Sequence, residues 1–87
     1  MAEQTVAVTI RYFAAAAAAA GVDTETLDLA KDTTIATLVE RLSGRGSELA
    51  RVLKRCSYLC DGVAVRDMGK PVSTPQTIDV LPPFAGG

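Results

Sequence analysis

The sequence predicts an α+β domain in which a small mixed sheet packs on one main helix. Stretches of alternating apolar residues lie at both ends of the chain, and a helical pattern with apolar residues three and four apart lies between them. The 87 residues make one domain, whose core must be compact because a chain this short buries only about 60 to 65% of its unfolded surface. The element order strand, helix, strand, helix, helix, hairpin, strand fits this class.

The first three elements are predicted from alternation and from an alanine run. A half-buried strand is expected over Thr5 to Tyr12, with one apolar face formed by Val6, Val8, Ile10 and Tyr12. The run Ala14 to Ala20, closed by Gly21, predicts a short helix whose small side chains let it lie close to a sheet. A second strand follows from Thr24 to Leu29, with Leu27 and Leu29 on one side and Glu25, Thr26 and Asp28 interleaved.

The main helix is predicted after three possible N-cap residues, which are Asp32, Thr33 and Thr34. Its apolar residues follow at helical spacing, namely Ile35, Leu38, Val39 and Leu42. Gly44 and Gly46 end it, and Ser47 is expected to cap a second short helix. The inner face of that second helix is predicted to carry Leu49, Val52, Leu53 and Cys56.

A hairpin and a last strand complete the predicted fold. Ser57 to Cys60 and Val63 to Arg66 flank Asp61-Gly62, a pair that readily takes the positive φ angles of a tight connection. The stretch from Asp67 to Pro75 is rich in turn residues, and Thr77 to Leu81 reads as a strand with Ile78 and Val80 on one face.

The charge balance argues against nucleic acid as a partner, because nine basic residues face ten acidic ones. Basic residues concentrate between positions 41 and 55, where Arg41, Arg45, Arg51, Lys54 and Arg55 stand against Glu48. We interpret them as solvated helix faces, with docking to an acidic partner as the alternative. The start of the chain carries no signal-peptide pattern and no stretch is long enough to span a membrane, so a cytoplasmic location is expected.

Cys56 and Cys60 are expected to be two small residues that face the core. On one strand they would lie roughly 13 Å apart, which is too far for a disulfide. If Cys56 instead ends a helix the two could approach, yet the chain has no histidine and no second cysteine pair, so a zinc site would lack its usual ligands.

The residues offer no self-contained catalytic machinery. There is no metal-ligand cluster, no glycine-rich phosphate loop and no convincing pair of nucleophile and base. Asp23, Glu25 and Asp28 are interpreted as surface charge. We therefore expect no bound metal or cofactor.

The remaining feature is the C-terminal sequence LPPFAGG, which divides the chain into a domain over 1–81 and a flexible tail over 82–87. Pro82 and Pro83 fix φ and remove backbone donors, so they stop the last strand and project the chain outward. Phe84 supplies one apolar anchor. Ala85 and Gly86 narrow the segment to bare backbone that fits a tight tunnel.

Gly87 ends the chain in a carboxylate that is ionised at neutral pH and can attack an activated phosphate. Sulfur or an amine displaces a carboxylate oxygen only after that oxygen becomes a good leaving group, as in an acyl-adenylate. A terminal glycine gives this carbon the least steric hindrance.

The chain resembles the small subunit of molybdopterin synthase, a family of ubiquitin-like β-grasp sulfur carriers, over essentially its whole length. The resemblance is carried by Val8 to Ala15, Gly21, Thr34 to Leu38 and above all Val80 to Gly87. The chain departs from the family pattern at Ala17 and Ala18, where relatives usually place an Arg-Glu pair, so no contact made by that pair is expected here.

The resemblance implies a role for Gly87 and a set of partners. A ubiquitin-activating-like enzyme would use ATP to adenylate Gly87, and a sulfur donor protein would convert it to a thiocarboxylate. Within a heterotetramer, the large synthase subunit would accept the tail through Pro82, Pro83, Phe84, Ala85 and Gly86. There the sulfur would pass to cyclic pyranopterin monophosphate during molybdenum cofactor synthesis. The catalytic groups would belong to the large subunit, and this chain would be its non-catalytic, sulfur-carrying partner.

Three alternatives remain open. A sister sulfur carrier for thiamine or cysteine synthesis would share the fold, tail and activation. A ubiquitin-like modifier would join its glycine to lysine side chains. An interaction module of the same fold would carry the Gly-Gly end incidentally.

Overall fold

The fold is a five-stranded mixed sheet with three short helices, as seen in a computed structural model that describes residues 4–72 and 76–83. The strands are β1 (Thr5–Tyr12), β2 (Thr24–Ala30), β3 (Ser57–Cys60), β4 (Val63–Ala64) and β5 (Gln76–Leu81), and the helices are α1 (Ala15–Ala20), α2 (Ile35–Ser43) and α3 (Ser47–Leu53). The strand order is β2-β1-β5-β3-β4. β5 runs parallel to β1, and the other pairs are antiparallel, which confirms the predicted fold class.

The core lies between the helices and one face of the sheet. It contains the alternating residues predicted for β1 and β5 together with the apolar residues of the helices; its fully buried large side chains are Val8, Ile10, Leu29, Ile35, Leu38, Leu42, Ile78 and Val80. Among the three candidate caps of α2, Thr34 is the one used, since its Oγ1 accepts a hydrogen bond from the Thr37 N–H at 3.1 Å. This bond satisfies one of the free amides at the start of the helix.

The second helix forms as predicted, but its cap was predicted wrongly. Leu49 and Leu53 are buried, and Val52 and Cys56 pack against the core. Ser47 is itself the first residue of α3, and no side chain caps the helix; the preceding Gly46 is extended, with φ 172°. A cap must precede the first helical turn, so the serine lies one position too late.

The alanine run serves packing. Ala16 is fully buried, and Ala17, Ala19 and Ala20 pack against the core, where α1 lies beside α3. Gly21 ends α1 in the left-handed conformation, with φ 80°, and its N–H donates to the Ala17 carbonyl at 2.9 Å. Small side chains thus let a helix of six residues lie close to its neighbour.

The predicted hairpin turn is confirmed, with φ 50° at Asp61 and 86° at Gly62. Asp61 also joins the turn to β5, since its N–H donates to the Thr77 carbonyl and its carboxylate accepts the Thr77 N–H. β4 ends at Ala64, two residues before the predicted Arg66. The Val65 N–H still donates to the Tyr58 carbonyl of β3. The loop that follows lies beside the start of α2, where the Lys70 and Met68 carbonyls accept from the Ile35 and Ala36 amides.

Glu25 differs from the predicted surface charge. Its side chain is only 21% exposed and accepts hydrogen bonds from the Tyr12 hydroxyl, at 2.6 Å, and from Arg45. Burial would raise the pKa of this carboxyl, but the hydrogen bonds from Arg45 and Tyr12 outweigh it and hold the pKa below its usual value. The network joins β1 and β2 to the loop between α2 and α3. Asp23 and Asp28 are exposed, as predicted.

Replacing Glu25 with glutamine should destabilise the fold at neutral pH by about 1 kcal/mol, since the exposed part of the ion pair is screened. Because the folded pKa is lowered, this stabilisation is complete above the ordinary glutamate pKa and is lost as pH falls through the lowered value. Urea unfolding at pH 7 and at about pH 3 measures both effects. Asp28→Asn, at an exposed carboxylate, is the control and should change stability by less than about 0.5 kcal/mol. An equal loss at both pH values would contradict the assignment.

Candidate functional site

The candidate site begins where β5 leaves the sheet. β5 lies between β1 and β3, and its Ile78 and Val80 are buried. The strand ends at Leu81, which is paired with Ser57 of β3. Pro82 follows half-buried and Pro83 exposed, and the strand stops before them as predicted.

The predicted site residues fall in two groups. Pro82 and Pro83 lie at the end of β5, where the sequence placed them. Phe84, Ala85, Gly86 and Gly87 lie outside the described residues. Their roles therefore stay predictions, and the described part of the site is the end of β5 with Pro82 and Pro83, which we call the base of the tail.

A charged and aromatic group lies on the sheet face opposite the helices, close to that base; we call it the tail-base cluster. It consists of Arg11, Phe13, Leu59, Asp79 and Leu81. The register pairs Arg11 with Asp79 across β1 and β5, and Asp79 with Leu59 across β5 and β3. Arg11 Nε lies 2.9 Å from Asp79 Oδ1, and the guanidinium carbon lies 5.3 Å from the centroid of the Phe13 ring. One arginine thus makes an ion pair and a cation–π contact on this face.

Asp79 is the unusual member of the cluster, because its residue surface is only 9% exposed. Its Oδ1 contacts Arg11 as an ion pair but has no aligned hydrogen bond among the described residues. A covered carboxylate depends on its cation, since burying an unpaired charge is costly. Arg11 is half exposed and remains partly hydrated.

Arg11 lies on the opposite face of β1 from the predicted apolar residues, but the sequence did not identify its partner. Alternation along β5 indicates that Asp79 faces away from Ile78 and Val80. Only the parallel pairing of β1 with β5 brings Asp79 beside Arg11, and strand order is not visible in the alternation of either strand alone. The cluster was therefore missed, although both of its charges lie in predicted strands.

The link between β1 and α1 also lies beside the end of β5. The Phe13 N–H donates to the Val80 carbonyl at 3.2 Å. The next residue, Ala14, has φ 52° and ψ −124°, a combination that side chains with a Cβ rarely adopt. This strained step turns the chain from the sheet into α1 while Phe13 remains attached to β5.

The two cysteines are free thiols that pack against the core, as predicted. Cys56 follows α3 and its Sγ donates to the Val52 carbonyl at 3.2 Å. Burial raises the pKa of both thiols, and nearby Asp61 raises that of Cys60 further. Both are therefore poor nucleophiles at neutral pH.

Two further findings concern the described ranges 4–72 and 76–83 only. They contain no group of three or more side chains that could hold a metal ion. None of their helices is long and apolar enough to cross a membrane.

Comparisons with known proteins agree with the architecture. A family model described as the ThiS family matches residues 10–87. The small archaeal modifier protein SAMP1 of Haloferax volcanii aligns with a TM-score of 0.79 at 25% identity, over 93% of this chain and 99% of that one. A Pyrococcus furiosus protein described as molybdopterin converting factor subunit 1 gives a TM-score of 0.81 at 22% identity, over 91% and 99%.

A third solved structure is a complex of subunits 1 and 2 of the molybdopterin-converting factor from Helicobacter pylori 26695. It matches with a TM-score of 0.68 at 18% identity, over 94% of this chain and 100% of that one. Comparison with curated protein sequences gives no match. The solved structures identify the fold as ubiquitin-like β-grasp, which confirms the fold expected from the resemblance.

Arg11→Met should destabilise the protein by about 1 to 2 kcal/mol, because it leaves the covered Asp79 carboxylate without its cation. Asp79→Asn should lower the free energy of unfolding by less, since the half-exposed Arg11 can be hydrated instead. The double variant should lose less than the sum of the two single losses. Urea unfolding measures all three. Arg41→Met, at an exposed arginine, is the control. Additive losses would show that the pair contributes no coupling.

Ala14→Gly should stabilise the protein by about 1 kcal/mol, because glycine adopts this backbone conformation without strain. Ala18→Gly, at an exposed position within α1, should instead destabilise by a similar amount, since glycine is a poor helix former. Thermal unfolding of both variants beside the parent gives the comparison. If both substitutions destabilise equally, Ala14 is not strained.

Proposed function

Because the chain belongs to the ThiS family, we propose that it is a sulfur carrier whose C-terminal Gly87 is adenylated and converted to a thiocarboxylate. The proposed acceptor is cyclic pyranopterin monophosphate, which makes the chain the small subunit of a molybdopterin synthase acting in the cytoplasm. The observation that carries the proposal is the position of β5, a central strand that runs directly into Pro82 and Pro83.

The proposed chemistry takes place at one carboxylate. An oxygen of Gly87 attacks the α-phosphorus of ATP, and pyrophosphate leaves. A sulfur nucleophile at the oxidation level of sulfide then displaces AMP and leaves the thiocarboxylate. The sulfur then replaces an oxygen substituent on the pterin side chain, which leaves as water or phosphate. Water cleaves the acyl–sulfur bond and restores the carboxylate. ATP binds to the activating enzyme, and this chain needs no resident cofactor.

A rigid base supports this use of the tail. β5 is hydrogen-bonded on both sides, and its core-facing side chains are buried, so the point where Pro82 begins is fixed relative to the whole domain. Six residues, from Pro82 to Gly87, extend at most about 20 Å. That reach is sufficient to enter a partner's active site while the folded domain stays outside.

The tail-base cluster offers a docking surface for the partners. Its half-buried Phe13, Leu59 and Leu81 supply apolar area, and Arg11 supplies a charge. We propose that the large synthase subunit and the activating enzyme contact this face in turn while the tail, including Phe84, Ala85 and Gly86, occupies their active sites. The Helicobacter pylori complex of subunits 1 and 2 supports the large subunit as a partner. Two small and two large subunits would form the heterotetramer.

A second candidate function is that of a ubiquitin-like modifier. The observation that favours it is the match to the Haloferax volcanii modifier protein, which has the highest sequence identity of the structures described above. Both functions begin with the adenylate of Gly87 and differ in the nucleophile, which is sulfur for a carrier and a lysine amine for a modifier. Stable isopeptide conjugates that survive reducing agents would identify a modifier.

The acceptor can be identified with labelled sulfur. Chain loaded with ³⁵S by the activating enzyme, ATP and a sulfur donor should release its label into the pterin only when the large subunit and the pterin precursor are both present. Release into a thiamine or cysteine precursor would support the carrier chemistry but assign the chain to a different pathway. Label that stays on the chain with every acceptor would contradict the carrier assignment.

Deleting Gly86 and Gly87 should abolish loading and leave the thermal unfolding midpoint unchanged within error, because β5 ends before the tail. Appending one alanine after Gly87 should have the same effect, since the carboxylate moves to a different residue. The matched control is an alanine added before Met1. Unfolding of the deletion variant, or normal loading of the extended one, would contradict a tail that serves only as the reactive end.

A further inference from the structure

Strand β2 forms an open edge of the sheet. Two hydrogen bonds bracket its pairing with β1: the Tyr12 N–H donates to the Asp23 carbonyl, and the Lys31 N–H to the Gln4 carbonyl. In an antiparallel pair, residues alternate between those bonded to the neighbour and those whose backbone points away. Glu25, Leu27 and Leu29 therefore bond to β1, as their register with Ile10, Val8 and Val6 requires.

The intervening residues direct their N–H and C=O groups away from the sheet. They are Thr24, Thr26, Asp28 and Ala30, and all four are exposed. Only the Ala30 carbonyl has a partner among the described residues, since it accepts from the N–H and hydroxyl of Thr33. Thr24, Thr26 and Asp28 thus present a row of free donors and acceptors, a template for another strand.

We propose that this edge pairs with the same edge of a second copy of the chain, antiparallel, with Thr26 on the two-fold axis. A two-fold interface must be self-complementary, so each side chain has to tolerate its symmetry mate. Centring the pair on Thr26 joins the outward-pointing residues of both copies through about six backbone hydrogen bonds. The two sheets then continue as one.

Side chains favour this register. On the outer face Thr26 lies opposite Thr26, a pairing that suits strands, and Thr24 lies opposite the second copy's Asp28. No two carboxylates are directly opposed. On the helix side the two half-buried Leu27 side chains become diagonal neighbours and cover each other. Glu25, the charge that could block the edge, is directed toward Tyr12 and Arg45.

The opposite edge does not offer the same surface. β4 has only two residues, too few to template a strand of useful length. The β2 edge has seven residues and lies two strands from β5, so pairing there leaves the tail and the tail-base cluster accessible. The proposal does not depend on the sulfur-carrier function.

The test places a charged side chain on the proposed two-fold axis. Thr26→Lys and Thr26→Glu each place like charges opposite each other in the homodimer and should weaken self-association at least about tenfold. An equimolar mixture of the two variants should associate again, because lysine then faces glutamate. The matched control is Ala64→Lys, which adds the same charge to an exposed residue of the other edge strand. Sedimentation velocity of the full chain up to roughly 1 mM measures each case.

Amide hydrogen exchange gives an independent readout, since the Thr24, Thr26 and Asp28 amides should exchange more slowly as the parent chain is concentrated. Three results would overturn the proposal. The parent chain could stay monomeric at roughly 1 mM, the mixture could fail to associate while both variants fold, or Ala64→Lys could weaken association as much as Thr26→Lys. The proposal would also be overturned if the chain associates but the slowed amide exchange lies at the tail-base cluster, or if the β2 edge binds an added peptide and not a second copy.

Discussion

The parallel pairing of β1 with β5 is the constraint on which the rest of the structure depends. It places the last strand of the chain in the middle of the sheet, with hydrogen-bonded neighbours on both sides. Ile78 and Val80 then lie beside Ile10 and Tyr12 and close the core under the helices. Because this central strand leads directly into Pro82, the chain leaves the sheet at a fixed point.

The two faces of the sheet serve different purposes for the same reason. On the helix side β1, β2, β3 and β5 contribute to one apolar core, and the Glu25 network secures its edge. On the other side, the same β1–β5 register brings Arg11 beside Asp79 and leaves Phe13, Leu59 and Leu81 around them. The core and the tail-base cluster therefore lie on opposite faces of the sheet, and β5 contributes to both.

Most of the fold could be predicted from local patterns. Alternation identified β1 and β5, helical spacing identified α2 and α3, and Asp61-Gly62 identified the hairpin. The error at Glu25 arose because the role of that residue depends on distant partners. Glu25 was predicted to be a surface charge because Tyr12 and Arg45 contact it only in the folded chain.

The candidate site was predictable only where it depends on local sequence. Pro82 and Pro83 predict the end of β5 from their own chemistry, whereas the contact of Arg11 with Asp79 requires the strand order. Ser47 was predicted to be the cap of α3 but is its first helical residue, because a serine after a glycine is compatible with either position. No residue of this chain identifies the proposed sulfur acceptor, since the acceptor would bind to the partner.

The central claim is that Gly87, and no other residue, carries the sulfur. The most direct measurement is tandem mass spectrometry of the C-terminal peptide after the chain has reacted with ATP, a sulfur donor and the activating enzyme. We predict that one oxygen of the Gly87 carboxyl is replaced by sulfur and that peptides containing Cys56 and Cys60 are unchanged. Sulfur found on either cysteine, or an unmodified C-terminal peptide, would contradict the account.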